Sequence, residues 1–487
     1  MKWPAYAGWA AFLLVMASSL RVPSPILWND SPAFVQAALL SLQAGVPTTV
    51  AGRDFGYPAI LATVFALKGD LATVVLLQQM AWTAAMLFVA ATATRIAGTW
   101  IGLSVAVLLA TYPGMLIFRH IIMAEAFYSA LLAASACLVV RAIGNGSGHR
   151  VRWLVWATLL SAGAACIKSS GLACFGLIAL VTLCLSYRKS RSALRWATLS
   201  IVVGATLVGG GFALRASSAD SYSRAFAQKT IFCNHLNIFL ASDVAKRRLS
   251  ELLGEESRQF VALAEADYRS QAQAWPTLGF YGDACMFDRE LDRAIDSGTS
   301  GDPGQLSATY RMLVVTAIAD QPIAYVRKVA NQFRYGLMMS WPPMGDSAGI
   351  SGVPGATAEV AAMVAQSGRP VEGWLTEAAV IAGWPMSPRG RMADYFYRAV
   401  SLLIALTVAA VPLAWLYRAR FDRTRLVQLT FVSALWLAHI AIPALSHTLD
   451  IWRYIASAAP VGALIITLGA ALLRSTMRRD VQWSAPA

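Results

Sequence analysis

Apolar residues in this chain gather into long runs, and polar residues fall between the runs. A helix needs about 20 mostly apolar residues to cross the hydrocarbon core of a bilayer, within a range of roughly 17–25. Ten stretches meet that requirement: 3–20, 71–94, 100–118, 124–140, 151–167, 171–187, 196–214, 396–417, 426–445 and 454–473. The fifth and sixth are short, and Lys168-Ser169-Ser170-Gly171 must serve as the turn between them. Lys2 precedes the first stretch as it would in a signal peptide. No small-residue cleavage site precedes Arg21-Val22-Pro23, so this stretch is expected to be an uncleaved anchor.

Basic residues set the expected orientation. They collect at Arg95, at Arg141, Arg150 and Arg152, at Arg188, Lys189, Arg191 and Arg195, at Arg418, Arg420, Arg423 and Arg425, and at Arg474, Arg478 and Arg479. Alternating helices put all of these on one side, which makes both termini cytoplasmic in a bacterial inner membrane. Two connections on the other side are too long to be turns, 21–70 and 215–395. The first holds an apolar stretch at 57–67, too short to span and suited to the interface. In the second, Ile323, Val326, Ala330, Phe333 and Leu337 recur at helical spacing, with Arg327, Lys328, Asn331 and Arg334 opposite. Such a helix lies on the bilayer, with Lys328 and Arg334 at headgroups, or packs on a small domain of the loop's own. Pro342 to Pro370 is rich in Gly, Pro, Ala and Ser and is expected to be a flap or linker. The organisation is thus a seven-helix module at 1–215, an outer loop or small domain at 216–395, and the last helices with a tail at 396–487.

Composition agrees. Of 487 residues, 57% are hydrophobic and 14% charged, against roughly 45–50% and 25% in soluble domains, which excludes an ordinary soluble enzyme. The net charge of +14 follows from topology, so nucleic acid is not an expected partner. Four cysteines lie in apolar helices, whereas Cys233 and Cys285 share the large outer loop, where a disulfide is plausible if that face is oxidising. No Cys or His cluster has metal-ligand spacing, and no P-loop, dinucleotide fingerprint or internal repeat is present.

The remaining charges crowd the outer side: Asp30, Arg53 and Asp54 in the first loop, Arg119, His120 and Glu125 between the third and fourth stretches, Lys168, and His447, Asp450 and Arg453 before the last. Ionisable groups near a membrane are costly and are functional candidates by default. Carboxylates beside cations suit transfer from a phosphate-bearing lipid to a hydroxyl. A carboxylate takes the acceptor's proton, and Lys or Arg stabilises the leaving phosphate. A polyprenyl donor enters sideways between helices and needs no nucleotide site.

Trp28-Asn29-Asp30-Ser31-Pro32-Ala33-Phe34 and Gly56-Tyr57-Pro58-Ala59-Ile60-Leu61-Ala62 resemble the first outer loop of GT-C superfamily glycosyltransferases, above all protein O-mannosyltransferases and the lipid A aminoarabinose transferase. Tyr112-Pro113 followed by Arg119 to Glu125, the turn Ile167-Lys168-Ser169-Ser170-Gly171 and Trp452-Arg453-Tyr454 fit the same pattern. The resemblance spans the first seven stretches and, more weakly, the last three. It implies an all-α GT-C type bundle of about ten transmembrane helices with periplasmic juxtamembrane helices and a large periplasmic loop. It implies the catalytic base at Asp30 and a second acidic position at Glu125. Family members often have Asp-Glu at the first site and Tyr four residues after the Asp; Ser31 and Phe34 stand there instead. Lys168, Arg453 and Arg119 are the candidates for the donor phosphate, with Arg53, Asp54, Tyr57, His120, His447, Asp450 and Tyr454 as further site candidates. The family holds metal-dependent and metal-independent members, so a divalent cation stays open, as does a glycan, lipid or protein acceptor.

Structural readings compete at each position. Asp30 sits where a helix cap would, Glu125 can pair with Arg119 and Arg453 with Asp450, and Lys168 can snorkel from its turn. Two other functions remain: a lipid-linked glycan transporter or flippase, and an O-antigen polymerase or ligase. Transporter sites lie near the midplane within repeated halves, whereas here charges lie at helix ends. The polymerases and ligases rely on Arg-rich outer loops and lack an acidic first loop.

Overall fold

The computed structural model describes residues 25–274, 285–338, 354–368, 388–446 and 451–483 apart from a few positions within them, and scattered positions in 6–13. Helices α1 (Ser31–Ala44) and α2 (Gly56–Ala66) lie in the first long connection, followed by α3 (Leu71–Ala97), α4 (Thr99–Ala110), α5 (Glu125–Gly144), α6 (Arg150–Ile167), α7 (Leu172–Tyr187) and α8 (Arg191–Ser218). The large connection forms α9 (Ser221–Asn234), α10 (Leu236–Ala241), α11 (Asp243–Leu253), α12 (Glu256–Ala274), α13 (Arg289–Thr299), α14 (Pro303–Asp320), α15 (Pro322–Met338) and α16 (Pro354–Gln366). The chain returns through α17 (Pro388–Leu416), α18 (Arg423–Ser446) and α19 (Ile451–Trp483).

Among the described residues, seven helices are long and apolar enough to cross a membrane: Leu71–Ala97, Glu125–Gly144, Ser169–Tyr187, Arg191–Arg215, Tyr395–Leu416, Arg423–Leu445 and Ala456–Thr476. The chain is therefore a multi-pass helical membrane protein. Most of the stretch at 3–20 lies outside the described residues. The stretch at 100–118 is corrected: its helix α4 has 12 residues, about 18 Å at 1.5 Å per residue, short of the roughly 30 Å hydrocarbon core. Gly98, at φ 99°, breaks the backbone between α3 and α4, a conformation that side chains resist.

The central helix α5 packs against α3, α6, α18 and α19. Its buried face includes Ala126, Ala130, Ala133 and Ala136, small residues that let helix backbones approach closely. Helices α8 and α17 stand at the edge and expose Leu199, Val203 and Leu207, and Leu402, Leu406 and Leu413. Gln78 near the start of α3, Glu125 at the start of α5, Lys168 after the end of α6 and Tyr454 in the first turn of α19 meet at one end of the bundle.

Helices α9 to α14 enclose a second apolar core, built on Phe232, Phe239, Phe260, Tyr310 and Leu313, separate from that of the bundle. Cys233 and Cys285 are joined within it as a disulfide, with Cα atoms 5.6 Å apart. Part of the Gly/Pro-rich 342–370 segment is not a linker: Pro354–Gln366 is helical, and its Val360 and Val364 join the bundle core. The remainder of that segment, except 367–368, lies outside the described residues.

Helix α15 carries the amphipathic pattern, but its two faces do not divide into buried and exposed: Arg327 and Arg334 are exposed on the charged face. Ile323 and Val326 are exposed, while Lys328 is buried to 7% exposure and its Nζ donates to the carbonyl of Ala444 at 3.4 Å. The placement of Lys328 at lipid headgroups is thus corrected. Burial lowers its ammonium from the ordinary 10.5 to about 7. Neighbouring His235, held down to about 4 by burial and by Lys328, is neutral through this range. Between about pH 7 and about pH 10 the unfolded chain binds the extra proton, so stability rises with pH across that window. Thermal unfolding in detergent is expected to show that rise in the wild type. Lys328→Met should flatten it and raise the midpoint near pH 7; an unchanged pH profile would refute the buried-ammonium account.

Candidate active site

The first and second loops are joined before any catalytic group is placed. Ile26 donates its N–H to the carbonyl of His120 at 2.9 Å and accepts from the N–H of Ile122 at 3.0 Å. Ser31, fully buried, donates its hydroxyl to the carbonyl of Ile122 at 3.0 Å and accepts from the N–H of Trp28 at 2.8 Å. Ser31 therefore fastens one loop to the other. Gln78, buried in the second turn of α3, completes the joint. Its Oε1 accepts from the Tyr57 hydroxyl at 2.6 Å, and its Nε2 donates to the carbonyls of Ile121 at 2.9 Å and Arg119 at 3.2 Å.

Asp30 precedes α1 but makes no side-chain cap bond there; its carboxylate instead forms an ion pair with Arg53. The Arg53 guanidinium also lies over the Phe34 ring, 5.6 Å from its centroid. Phe34 meets Tyr57 edge-on at 5.0 Å. Adjacent Asp54 turns the other way. One of its oxygens accepts from the Ser169 N–H at 2.7 Å and the other from Arg215 at 3.0 Å. Burial raises the Asp54 carboxyl above the ordinary 3.8, with Arg215 the chief opposing influence. Gly56 permits this docking, because a Cβ there would lie 2.7 Å from the Cys166 carbonyl carbon and oxygen at the end of α6.

Glu125 opens α5 at 1% exposure, and its Oε1 accepts from Lys168 Nζ at 2.8 Å. Lys168 is itself 8% exposed, and its ammonium lies 4.0 Å from the centre of the Tyr454 ring and 5.9 Å from that of Tyr128. Snorkelling therefore does not describe Lys168, and Arg119 is not the partner in the ion pair recorded for Glu125. A further group was absent from the expected site. His439, in the middle of α18, has Nε2 2.7 Å from the Tyr454 carbonyl and Nδ1 2.7 Å from the Tyr128 hydroxyl. The carbonyl only accepts, so Nε2 donates; in the neutral ring Nδ1 then accepts from Tyr128. This bridge holds Tyr128 and the Tyr454 backbone, and with them the walls around Lys168.

The structure thus brings Glu125, Lys168 and Tyr454 together, pairs Asp30 with Arg53, and ties Asp54 to the Lys168 turn through Ser169. His120 Nε2 lies 3.5 Å from Gln79 Nε2. Arg119 makes no ion pair among the described residues, and burial lowers its guanidinium only to about 10, so it remains charged at neutral pH. Arg453 falls in the first turn of α19, and its side chain, with all of His447 and Asp450, lies outside the described residues. Among the described residues no three of His, Cys, Asp and Glu gather as a metal site. Ser31, Gln78, Tyr128, Arg215 and His439 are the contributors that reading the sequence missed. The signal available for Gln78 and His439 was a polar residue inside an apolar run.

No family model matches this chain, and no curated protein matches it. Among solved structures it is similar to ArnT from Cupriavidus metallidurans in the apo state, at 12% identity and a TM-score of 0.34, over 94% of this chain and 77% of that one. The same protein bound to undecaprenyl phosphate matches at 12% identity and a TM-score of 0.35, over 95% and 78% of the respective chains. The archaeal oligosaccharyltransferase AglB from Archaeoglobus fulgidus, in complex with an inhibitory peptide and a dolichol-phosphate, matches at 12% identity and 0.41, over 100% of this chain and 53% of that one.

Proposed function

We propose that this chain is an integral membrane glycosyltransferase of GT-C type that moves a sugar from a polyprenyl-phosphate-linked donor to an acceptor hydroxyl on the periplasmic face. The observation that carries this reading is the gathering of both charge signs at one end of an apolar bundle, with Glu125 and Lys168 buried as a pair and Asp30 and Arg53 more open beside them. Asp30 takes the proton of the acceptor hydroxyl, and the freed oxygen electron pair attacks the anomeric carbon. The bond from that carbon to the phosphate oxygen breaks, and polyprenyl phosphate leaves with its electrons, so the sugar inverts. Arg119, Lys168 and Arg453 stabilise the charge on the departing phosphate. Glu125 orients the Lys168 ammonium toward it. Both termini are cytoplasmic in this reading, in a bacterial inner membrane. The 1–215 module carries the site, the 216–395 loop covers it, and 396–487 closes the bundle.

The test uses purified protein in detergent, a polyprenyl phosphate carrying a radiolabelled sugar, and envelope extract as acceptor. Label should pass to the acceptor with equimolar release of polyprenyl phosphate, and a nucleoside-diphosphate sugar should not substitute. If the protein in vesicles moves the intact lipid-linked sugar between leaflets without cleaving it, the chain is a flippase and the proposal fails.

A further inference from the structure

A second polar site lies at the far end of the bundle and is independent of the transfer reading. Glu125 and Arg141 are sixteen residues apart on α5, about 24 Å at 1.5 Å per residue. At that far end the last turns of α3 and α5 meet the first turn of α18 around a pocket of about 350 Å³. Arg95, Arg141 and Arg425 line it, together with Thr92, Thr424 and Gln428.

Side-chain bonds fix Arg141, Arg425 and Gln428 at the pocket wall. Arg141 donates from Nε to the Thr92 hydroxyl at 3.2 Å, and its guanidinium lies 4.3 Å from the centre of the Phe88 ring, which fixes its position at the pocket wall. Arg425 donates to the Ala471 carbonyl at 2.8 Å. Gln428 donates to the Val140 carbonyl at 2.7 Å and so ties α18 to α5. Arg95 is exposed and makes no hydrogen bond or ion pair among the described residues. Asp422, the only carboxylate in the lining among the described residues, is already engaged. It accepts from the N–H groups of Thr424 at 2.9 Å and Arg425 at 3.3 Å and lies 3.6 Å from Arg425 Nε. Three guanidinium charges therefore face one occupied carboxylate. The N-terminus of α18 adds its own partial positive charge.

We infer that this pocket binds a phosphate ester, presented by the headgroup of an anionic membrane lipid. Guanidinium forks match phosphate oxygens. A volume of 350 Å³ is near the lower end of ligand pockets, at about 300–1,000 Å³, which suits a headgroup. Arginines in the last turns of membrane helices sit at headgroup depth, where basic pockets between helices take anionic lipids. Ile96 and Val140 in the lining give the start of an acyl chain an apolar edge.

The experiment titrates delipidated protein in detergent with dioleoylphosphatidylglycerol, dioleoylphosphatidylcholine or inorganic phosphate and reads the thermal unfolding midpoint. Phosphatidylglycerol should raise the midpoint, and Arg95→Gln should weaken its apparent affinity about tenfold, the loss of one charged hydrogen bond. Phosphatidylcholine should have little effect. Arg191→Gln, a surface arginine expected on the same side but outside the pocket, should leave the response intact. An Arg95-dependent response to inorganic phosphate that matches the lipid's supports the phosphate site and makes the source a soluble ester. No response to either anion, an equal response to phosphatidylcholine, or an equal loss in Arg191→Gln overturns the inference.

Discussion

Asp30→Asn is expected to lower sugar transfer by about 10²–10⁴-fold, the range for loss of a positioned general base, while the protein expresses and melts almost as the wild type does. The substitution keeps the shape of the side chain and removes its capacity to take a proton. Its structural cost is small, because the Arg53–Asp30 pair is partly exposed, at 32% and 17% for the two side chains, and such pairs contribute about 0–1 kcal/mol. Ile26, Ser31 and Gln78 carry bonds of the joint between the loops. Donor KM should stay within a few-fold, since the proposed mechanism gives the phosphate contacts to other residues. Arg53→Gln should act more mildly, by letting Asp30 drift. Turnover of Asp30→Asn within tenfold of wild type would remove Asp30 as the base and leave Glu125 or Asp54 as the next carboxylate to test.

Most of the membrane architecture was legible because a bilayer leaves the chain few choices. Backbone groups in hydrocarbon must be satisfied within a helix, so long apolar runs become helices of predictable length. That rule found the stretches at 71–94, 124–140 and 426–445, which the structure forms as α3, α5 and α18. It failed at 100–118, where the run stays apolar but the helix ends at Ala110. It said nothing about which face of α15 would meet the bundle. Hydrophobic spacing identifies an apolar face, yet α15 also buries Lys328 and Gln332, and Lys328 donates to the Ala444 carbonyl of α18.

The site was legible in its ion-bearing positions and illegible in its supports. Asp30, Arg53, Glu125 and Lys168 announce themselves as charges at the ends of apolar runs. Their partners do not. Lys168 joins Glu125 across 43 residues, Arg215 reaches Asp54 across 161, and His439 reaches Tyr128 across 311. Such pairings are properties of packing, and no local spacing encodes them. Ser31 is the instructive case. At the position where the resembled family often carries a second acid, its small hydroxyl has a structural use, with one bond to each of two loops.

Lys168→Met is expected to destabilise the protein by about 3–5 kcal/mol, the cost of leaving one member of a buried ion pair behind. Glu125 is 1% exposed, and the substitution removes the ammonium 2.8 Å from its Oε1 while keeping the bulk of the side chain. The double variant Glu125→Gln with Lys168→Met should recover most of that loss, because two neutral groups in place of a buried pair are often neutral or stabilising. Under the proposed mechanism transfer should stay lost in both variants, since the recovered stability does not restore the cation proposed to hold the departing phosphate. This separation of melting from turnover is the informative result: a purely structural pair would regain activity together with stability. The readouts are the melting midpoint in detergent and transfer from the labelled polyprenyl-phosphate donor. If the double variant melts no higher than Lys168→Met alone, the Lys168 ammonium acts mainly through the Tyr454 ring 4.0 Å away, and the ion pair with Glu125 is not its principal contribution.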